Sequence, residues 1–302
     1  MATWRQPEIR ANAPASFYED VRPLWRANTI TFGITVVLVS TLGLASLALG
    51  GVQGTTRVVI SVVVATLPGL AWLALLYQTP RRQDQRPSPL VLTLFVLGAL
   101  IAAAVTRPIL TDLFRVNEWL AATNAVRRFT TTVLISGFWH TFLLYSMVRF
   151  TVWRTPVFAH RADGILYGMA AGWGYATATN LLFVLDNNGL ALLNGNLRLV
   201  ADACAFVTTS VVLGYFLGRN RFEVMPFYFL PVGLALSAGV NGLLLFTTKE
   251  VNAIRIGLDQ DGYSPWPGVV IALLVLALVL FAVFGIVRRE NTLTRTRLER
   301  GQ

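Results

Sequence analysis

The chain has 302 residues, of which 55% are hydrophobic and 13% are charged, and its mean hydropathy is +0.59. Soluble domains carry roughly 25% charged residues, so these values exclude an ordinary soluble enzyme, a disulfide-rich secreted domain and a disordered tail, and they leave a multi-span membrane protein. The net charge of +10 gives no reason to expect nucleic-acid binding, because excess Lys and Arg in a membrane chain usually orient its loops.

Apolar runs along the chain predict its helices, because about 20 such residues cross the hydrocarbon layer. We therefore predict an all-α membrane protein, a polytopic bundle of about eight transmembrane helices. The predicted spans are residues 29–50, 58–77, 89–106, 129–148, 164–184, 199–218, 227–247 and 268–287.

The connections between spans predict the orientation, since Lys and Arg favour the cytoplasmic side. In the resulting topology 17 of these residues lie on one side and 8 on the other, which predicts cytoplasmic termini in the inner (cell) membrane. The predicted parts are a cytoplasmic arm (1–28), N-terminal transmembrane helices with an interfacial helix (29–127), a transmembrane core (128–247), an external loop (248–267), and a last helix with a basic cytoplasmic tail (268–302).

The interfacial helix is predicted from residues 107–128, where four apolar side chains recur at helical spacing. Trp119 suits the membrane interface. A re-entrant element is the alternative interpretation of this segment.

The fifth and sixth spans carry small residues at helical spacing. Gly164, Gly168 and Gly172 recur every four residues, and Gly214 and Gly218 repeat that spacing in the next span. Such ladders let helices approach closely in lipid. Plain helix packing explains these glycines without any further function.

Several polar side chains also fall within the predicted spans. Thr179 lies about 20° off the glycine face and points into the bundle. Asp202 follows Arg198 by one turn, which favours an ion pair. His140 lies mid-span and is a ligand, a proton relay or a hydrogen-bonded core residue, whereas Asn241 suits a hydrogen bond between helices.

Residues 137–245 resemble the PrsW family of intramembrane metalloproteases, distant relatives of the CAAX prenyl proteases and the bacteriocin-processing group. The most specific stretch is VFAHRADGILYGMAAGWGYATATNLLF at 157–183. The positions that match the family are Asp163-Gly164, Tyr167-Gly168, Gly172, Gly174, Tyr175, Ala176, Asn180, Arg198, Gly214, Gly218 and Asn241.

The positions that the resemblance makes catalytic carry other residues. The family's Glu-Glu-x-x-Lys motif falls on His140, Thr141 and Leu144, and the glutamate of its Glu-Asn motif falls on Thr179. The histidine of the next span falls on Phe206, or on Cys204 if the register slips. The last motif, His-x-x-x-Asn, reads Ser237 to Asn241, so only its asparagine is kept.

A hydrolytic metal site needs about three N or O ligands, an open position for water and a general base. The chain has two histidines and one cysteine, so His140 and Cys204 are only weak candidate ligands, and we predict no catalytic residue, metal or cofactor. We expect the glycines named above, with Asn180 and Asn241, to serve helix packing.

The leading functional hypothesis is a non-catalytic scaffold that binds other transmembrane proteins, as an accessory subunit of a hetero-oligomeric membrane complex. The alternative is an active metalloprotease with a rearranged site that uses His140 and Cys204. A transporter is the third hypothesis, and Asp202 is the acid on which a polar pathway would depend.

Overall fold

The computed structural model describes residues 22–48, 53–78, 89–116, 118, 124–192, 194–253 and 266–299. Within these residues the fold is helical, with eight long helices and no strand. Their bounds are Arg22–Ala48 (α1), Gly54–Gln78 (α2), Pro89–Leu113 (α3), Ala125–Thr151 (α4), Arg161–Asp186 (α5), Asn194–Phe222 (α6), Phe229–Ala253 (α7) and Trp266–Glu299 (α8).

Seven of these helices are long and apolar enough to cross a membrane, which confirms the predicted helical membrane bundle. The other long helix is α5, whose Gly, Thr, Tyr and Asn side chains make it less apolar. Most of the α5 surface is buried against other helices and not exposed to lipid. A less apolar composition suits this central position. The side of the membrane on which each terminus lies stays a prediction.

The third span is longer than predicted. Residues 107–113 continue α3, and α4 already begins at Ala125. The prediction of a separate surface helix is therefore wrong for residues 107–113 and 125–128. Residues 119–123, including Trp119 and Leu120, lie outside the described residues. The last turns of α3, from Ala102 to Leu113, are wound as a π-helix that contains Pro108. Proline lacks the N–H of an α-helical bond, and wider π turns accommodate such a break.

The external loop and the basic tail also differ from the prediction. Helix α7 continues to Ala253, which shortens the expected loop, and residues 254–265 lie outside the described residues. Helix α8 runs from Trp266 to Glu299, so most of the predicted tail is a continuation of the last helix. Likewise, α1 begins at Arg22, within the predicted polar arm.

Glycines determine how closely the helices cross at the centre of the bundle. A Cβ atom added at Gly168 of α5 would lie 2.8 Å from the carbonyl oxygen of Ser210 in α6. A Cβ atom added at Gly98 of α3 would lie 3.0 Å from the backbone nitrogen of Tyr175 in α5. Helix α5 therefore contacts α6 and α3 through backbone, as small residues permit in lipid.

Candidate functional site

His140 lies at the point where α4, α5 and α6 meet. Its side chain is buried, and its ring centroid is 4.3 Å from that of Tyr175 and 4.7 Å from that of Phe206. The ring centroids of Tyr175 and Phe206 are in turn 5.1 Å apart, in an edge-to-face arrangement with 66° between the ring planes. The three side chains form an aromatic cluster with favourable edge and tilted geometry. The structure thus brings together positions 140 and 206, two of those for which the resemblance implies polar groups in the family.

The imidazole of His140 has few polar neighbours in this cluster. The backbone of Phe206 lies near it, but neither ring nitrogen makes a hydrogen bond of ordinary length and angle with any described residue. Within the same part of the chain, no carboxylate forms an ion pair with His140. The surroundings of His140 are therefore mainly aromatic.

Thr141 and Ser237 lie at the crossing of α4 with α7. A Cβ atom added at Gly137 of α4 would contact the backbone of Ala238 and Gly242 in α7. Thr141 lies one turn beyond Gly137 and therefore shares the face of α4 at this crossing, whereas Ser237 precedes Ala238 and lies about 100° from it around α7. Both residues are buried. The Ser237 hydroxyl donates to the carbonyl of Gly233, one turn back in its own helix.

Two asparagines that match the family have different surroundings. Asn180 of α5 donates from Nδ2 to the carbonyl oxygen of Leu199 in α6 at 3.0 Å, and therefore links the two helices. Asn241 of α7 is fully buried, and neither of its side-chain polar atoms has a hydrogen-bond partner among the described residues. Asn180 thus has the packing contact expected of it, whereas Asn241 has no such contact within the described part of the chain.

Thr179, which the resemblance aligns with the family's glutamate, is half-buried on α5. It lies one turn beyond Tyr175 and therefore shares the helix face that contacts His140. Leu144, at the position of the family's lysine, is fully buried on α4.

Cys204 is buried on α6 but does not share the face that carries Phe206. Residues two positions apart on an α-helix project about 160° from each other around the helix axis. Cys204 therefore points away from the cluster that contains His140 and Phe206. The structure therefore does not bring His140 and Cys204, the two weak candidate ligands, together.

Asp202, the acid considered for a polar pathway, is close to Arg198. Its Oδ2 atom lies 3.7 Å from Nε of Arg198, and the Arg198 guanidinium lies 4.0 Å from the ring centroid of Phe183. This geometry corresponds to the predicted ion pair at i, i+4.

A polar contact beside the cluster was missed by the sequence analysis. Thr106 of α3 accepts hydrogen bonds at Oγ1 from the Tyr175 hydroxyl at 3.1 Å and from Nε1 of Trp139 at 3.3 Å. This one hydroxyl therefore links α3, α4 and α5. The available signal was a threonine within the otherwise apolar end of the third span.

The side chains at this site do not fit a hydrolytic metal centre. Such a centre takes about three nitrogen, oxygen or sulfur ligands from His, Cys, Asp or Glu and a base for the attacking water. Among the described residues, no three or more of these side chains group closely enough to hold a metal ion. The family positions instead present one imidazole, aliphatic hydroxyls and a phenyl ring.

Comparison with known proteins extends the resemblance beyond residues 137–245. The family model described as PrsW family intramembrane metalloprotease matches residues 86–284, about two thirds of the chain. No solved structure matches the chain.

Curated relatives named Protease PrsW also match. The one from Geobacillus kaustophilus is 28% identical over 194 residues, which cover 63% of this chain and 81% of the relative. The one from Halalkalibacterium halodurans is 28% identical over 159 residues, which cover 53% and 69%. The Bacillus subtilis protein is 26% identical over 156 residues, which cover 52% and 66%.

Proposed function

The chain belongs to the PrsW family of intramembrane metalloproteases, and we propose that it binds membrane-embedded segments of other proteins without cleaving them by that family's metal chemistry. It is an integral, multi-pass membrane protein. In this proposal it lies in the bacterial inner membrane with cytoplasmic termini and serves as an accessory subunit of a membrane complex.

The observation that carries the proposal is the chemistry of the side chains around His140. The close helix crossings at Gly164, Gly168 and Gly172 support the bundle. The positions at which the family would hold and activate water carry no acid. Hydrolysis of a peptide bond by a metal-bound water needs about three ligands and a base. His140 supplies one of these groups, and the hydroxyls and the phenyl ring do not complete the set.

Helices α4 and α7 carry several buried hydrogen-bonding atoms that lack partners in the described part of the chain. Both ring nitrogens of His140, the hydroxyl of Thr141 and both amide atoms of Asn241 are buried without a hydrogen-bond partner among the described residues. A buried polar atom without a partner costs about 1–3 kcal/mol. A locally unwound membrane segment that entered between α4 and α7 would offset that cost with its N–H and C=O groups, which supports a binding role.

Proteolysis is the second candidate, and the comparisons favour it over binding alone. The family model and the curated relatives are all described as proteases. For this candidate, His140 would need two further ligands and a base from residues that the structure places elsewhere.

Site-specific photo-crosslinking in native membranes tests the binding proposal. A photoreactive residue at Thr179, which is half-buried on the His140 face of α5, is expected to label a discrete membrane protein of full length. The matched control is Leu278 of α8, whose side chain is 69% exposed on the outside of the bundle. Labelling from Leu278 is expected to be weak and spread over many proteins.

Equal labelling patterns from Thr179 and Leu278 would contradict the binding proposal. A labelled protein shortened within its membrane segment would instead support proteolysis.

A further inference from the structure

Five arginines surround one end of the bundle, where α4 and α6 end and α5 begins. We call this surface the arginine face, and it consists of Arg149, Arg154, Arg161, Arg219 and Arg221. Asp163 and Glu223 are the described carboxylates that form ion pairs beside these arginines. The described side chains of the arginine face therefore carry an excess of positive charge.

Both carboxylates are already engaged. Oδ2 of Asp163 accepts hydrogen bonds from the backbone nitrogens of Ala159 and His160, at 2.9 and 2.8 Å, and thereby caps α5. Glu223 binds Arg219 at 2.6 Å through one oxygen and Arg161 at 2.8 Å through the other. Arg149 and Arg221 have no ion pair within the described part of the chain.

Arg149 and Arg221 are held close to each other on aromatic rings. The Arg149 guanidinium lies 4.5 Å from the ring centroid of Trp153, and the Arg221 guanidinium lies 5.9 Å from the same ring. Arg221 also lies 5.1 Å from the ring of Phe158 and donates from one guanidinium nitrogen to the carbonyl oxygen of Thr155 at 3.1 Å.

This arrangement orients two positive charges that repel one another. Burial and the nearby charge of Arg149 both disfavour the charged form of Arg221 and lower its pKa, whereas Asp163 acts in the opposite direction. Stacking on aromatic rings leaves the edges of a guanidinium free for the planar, bidentate contact that phosphate accepts. A phosphate between the two side chains would relieve the repulsion.

The surroundings of the arginine face indicate that the phosphate belongs to a lipid. Arg149 and Arg221 lie in the last turns of α4 and α6, two helices that are apolar enough to cross a membrane. Large apolar side chains at the same end are exposed, with exposed fractions of 84% for Phe150, 80% for Val224 and 93% for Phe227. Exposed apolar side chains such as phenylalanine suit the boundary between the headgroups and the acyl chains of a bilayer.

We propose that Arg149 and Arg221 form a binding site for the phosphate of an anionic phospholipid headgroup, with the acyl chains lying along the exposed apolar side chains beside them. Basic pockets between transmembrane helices bind such headgroups. This site is separate from the region around His140 and does not depend on the function proposed for that region.

Native mass spectrometry of the full-length chain in micelles tests the site. With equal amounts of phosphatidylglycerol and phosphatidylcholine present, the wild-type chain is expected to retain mainly phosphatidylglycerol. The double variant Arg149→Gln, Arg221→Gln is expected to lose about 30-fold in phosphatidylglycerol affinity, since each basic residue near the surface contributes about 1 kcal/mol. The single variant Arg149→Gln, which keeps the bond from Arg221 to Thr155, is expected to lose about fivefold.

The matched control removes two arginines from the opposite end of the helices, as Arg115→Gln, Arg127→Gln. This variant carries the same net charge and is expected to keep its phosphatidylglycerol. Equal losses in the two double variants would overturn the proposal, because they would reduce binding to general charge attraction. Complete displacement of phosphatidylglycerol by inorganic phosphate, or equal binding of an acidic peptide in micelles without anionic lipid, would also overturn it.

Discussion

Replacing Gly164 with alanine is expected to destabilise the bundle by about 3 kcal/mol or more, the upper range for overpacked sites. A Cβ atom at this position would lie 2.6 Å from the backbone nitrogen of Gly218 and 2.8 Å from its Cα atom. Both atoms belong to the backbone of α6, so no side-chain rotation relieves the contact. The helices must separate, and α5 would lose close packing along its contact with α6.

The matched control is Gly239→Ala in α7. No atom lies within 4 Å of a Cβ atom added there, and alanine favours a helix interior over glycine by about 0.5–1 kcal/mol. Unfolding of both variants in mixed micelles by a graded denaturing detergent gives the comparison. Equal stability of the two variants would contradict the assigned contact between Gly164 and α6.

The second large effect is expected at His140, where alanine and phenylalanine should behave differently. His140→Ala removes a ring that packs against Tyr175 and Phe206, and is expected to cost about 2–4 kcal/mol as a core truncation. His140→Phe keeps an aromatic ring and removes two nitrogens that have no hydrogen-bond partner among the described residues. Its stability is expected to stay within about 1 kcal/mol of the wild type.

Denaturation of both His140 variants in the same mixed micelles measures this difference. A metal-binding role would reverse the expectation, because phenylalanine would then remove a ligand and destabilise the chain as much as alanine does. Addition of a metal chelator to the wild type provides the control, and it is expected to leave the stability unchanged.

Much of the helical architecture follows from the sequence. Runs of about 20 apolar residues and the small-residue ladders of α5 and α6 reflect requirements that act locally along one helix. Helix ends were less predictable. Pro108 and the arginine that precedes it resemble the end of a span, yet π turns carry α3 on to Leu113. Likewise, the polar residues beyond position 288 do not end α8, because a helix can continue past the membrane surface.

The site was predictable in composition but not in arrangement. The resemblance to the family places positions 140, 179, 206 and 237 in one region, and the structure shows which of them contact each other. The link from Thr106 to Tyr175 and Trp139 joins residues 69 and 33 positions apart, and a single sequence contains no periodicity that reports such a contact. The aromatic stacking of Arg149 and Arg221 on Trp153 likewise depends on tertiary packing.

The most direct measurement of the central claim is zinc content together with cleavage by the full-length chain in vesicles. The Bacillus subtilis Protease PrsW serves as the active comparison, with the same membrane-anchored test proteins. We expect zinc well below one ion per chain and intact test proteins in the presence of this chain. One zinc ion per chain, with cleavage that both a chelator and His140→Phe abolish, would contradict the claim that this fold has no hydrolytic metal site.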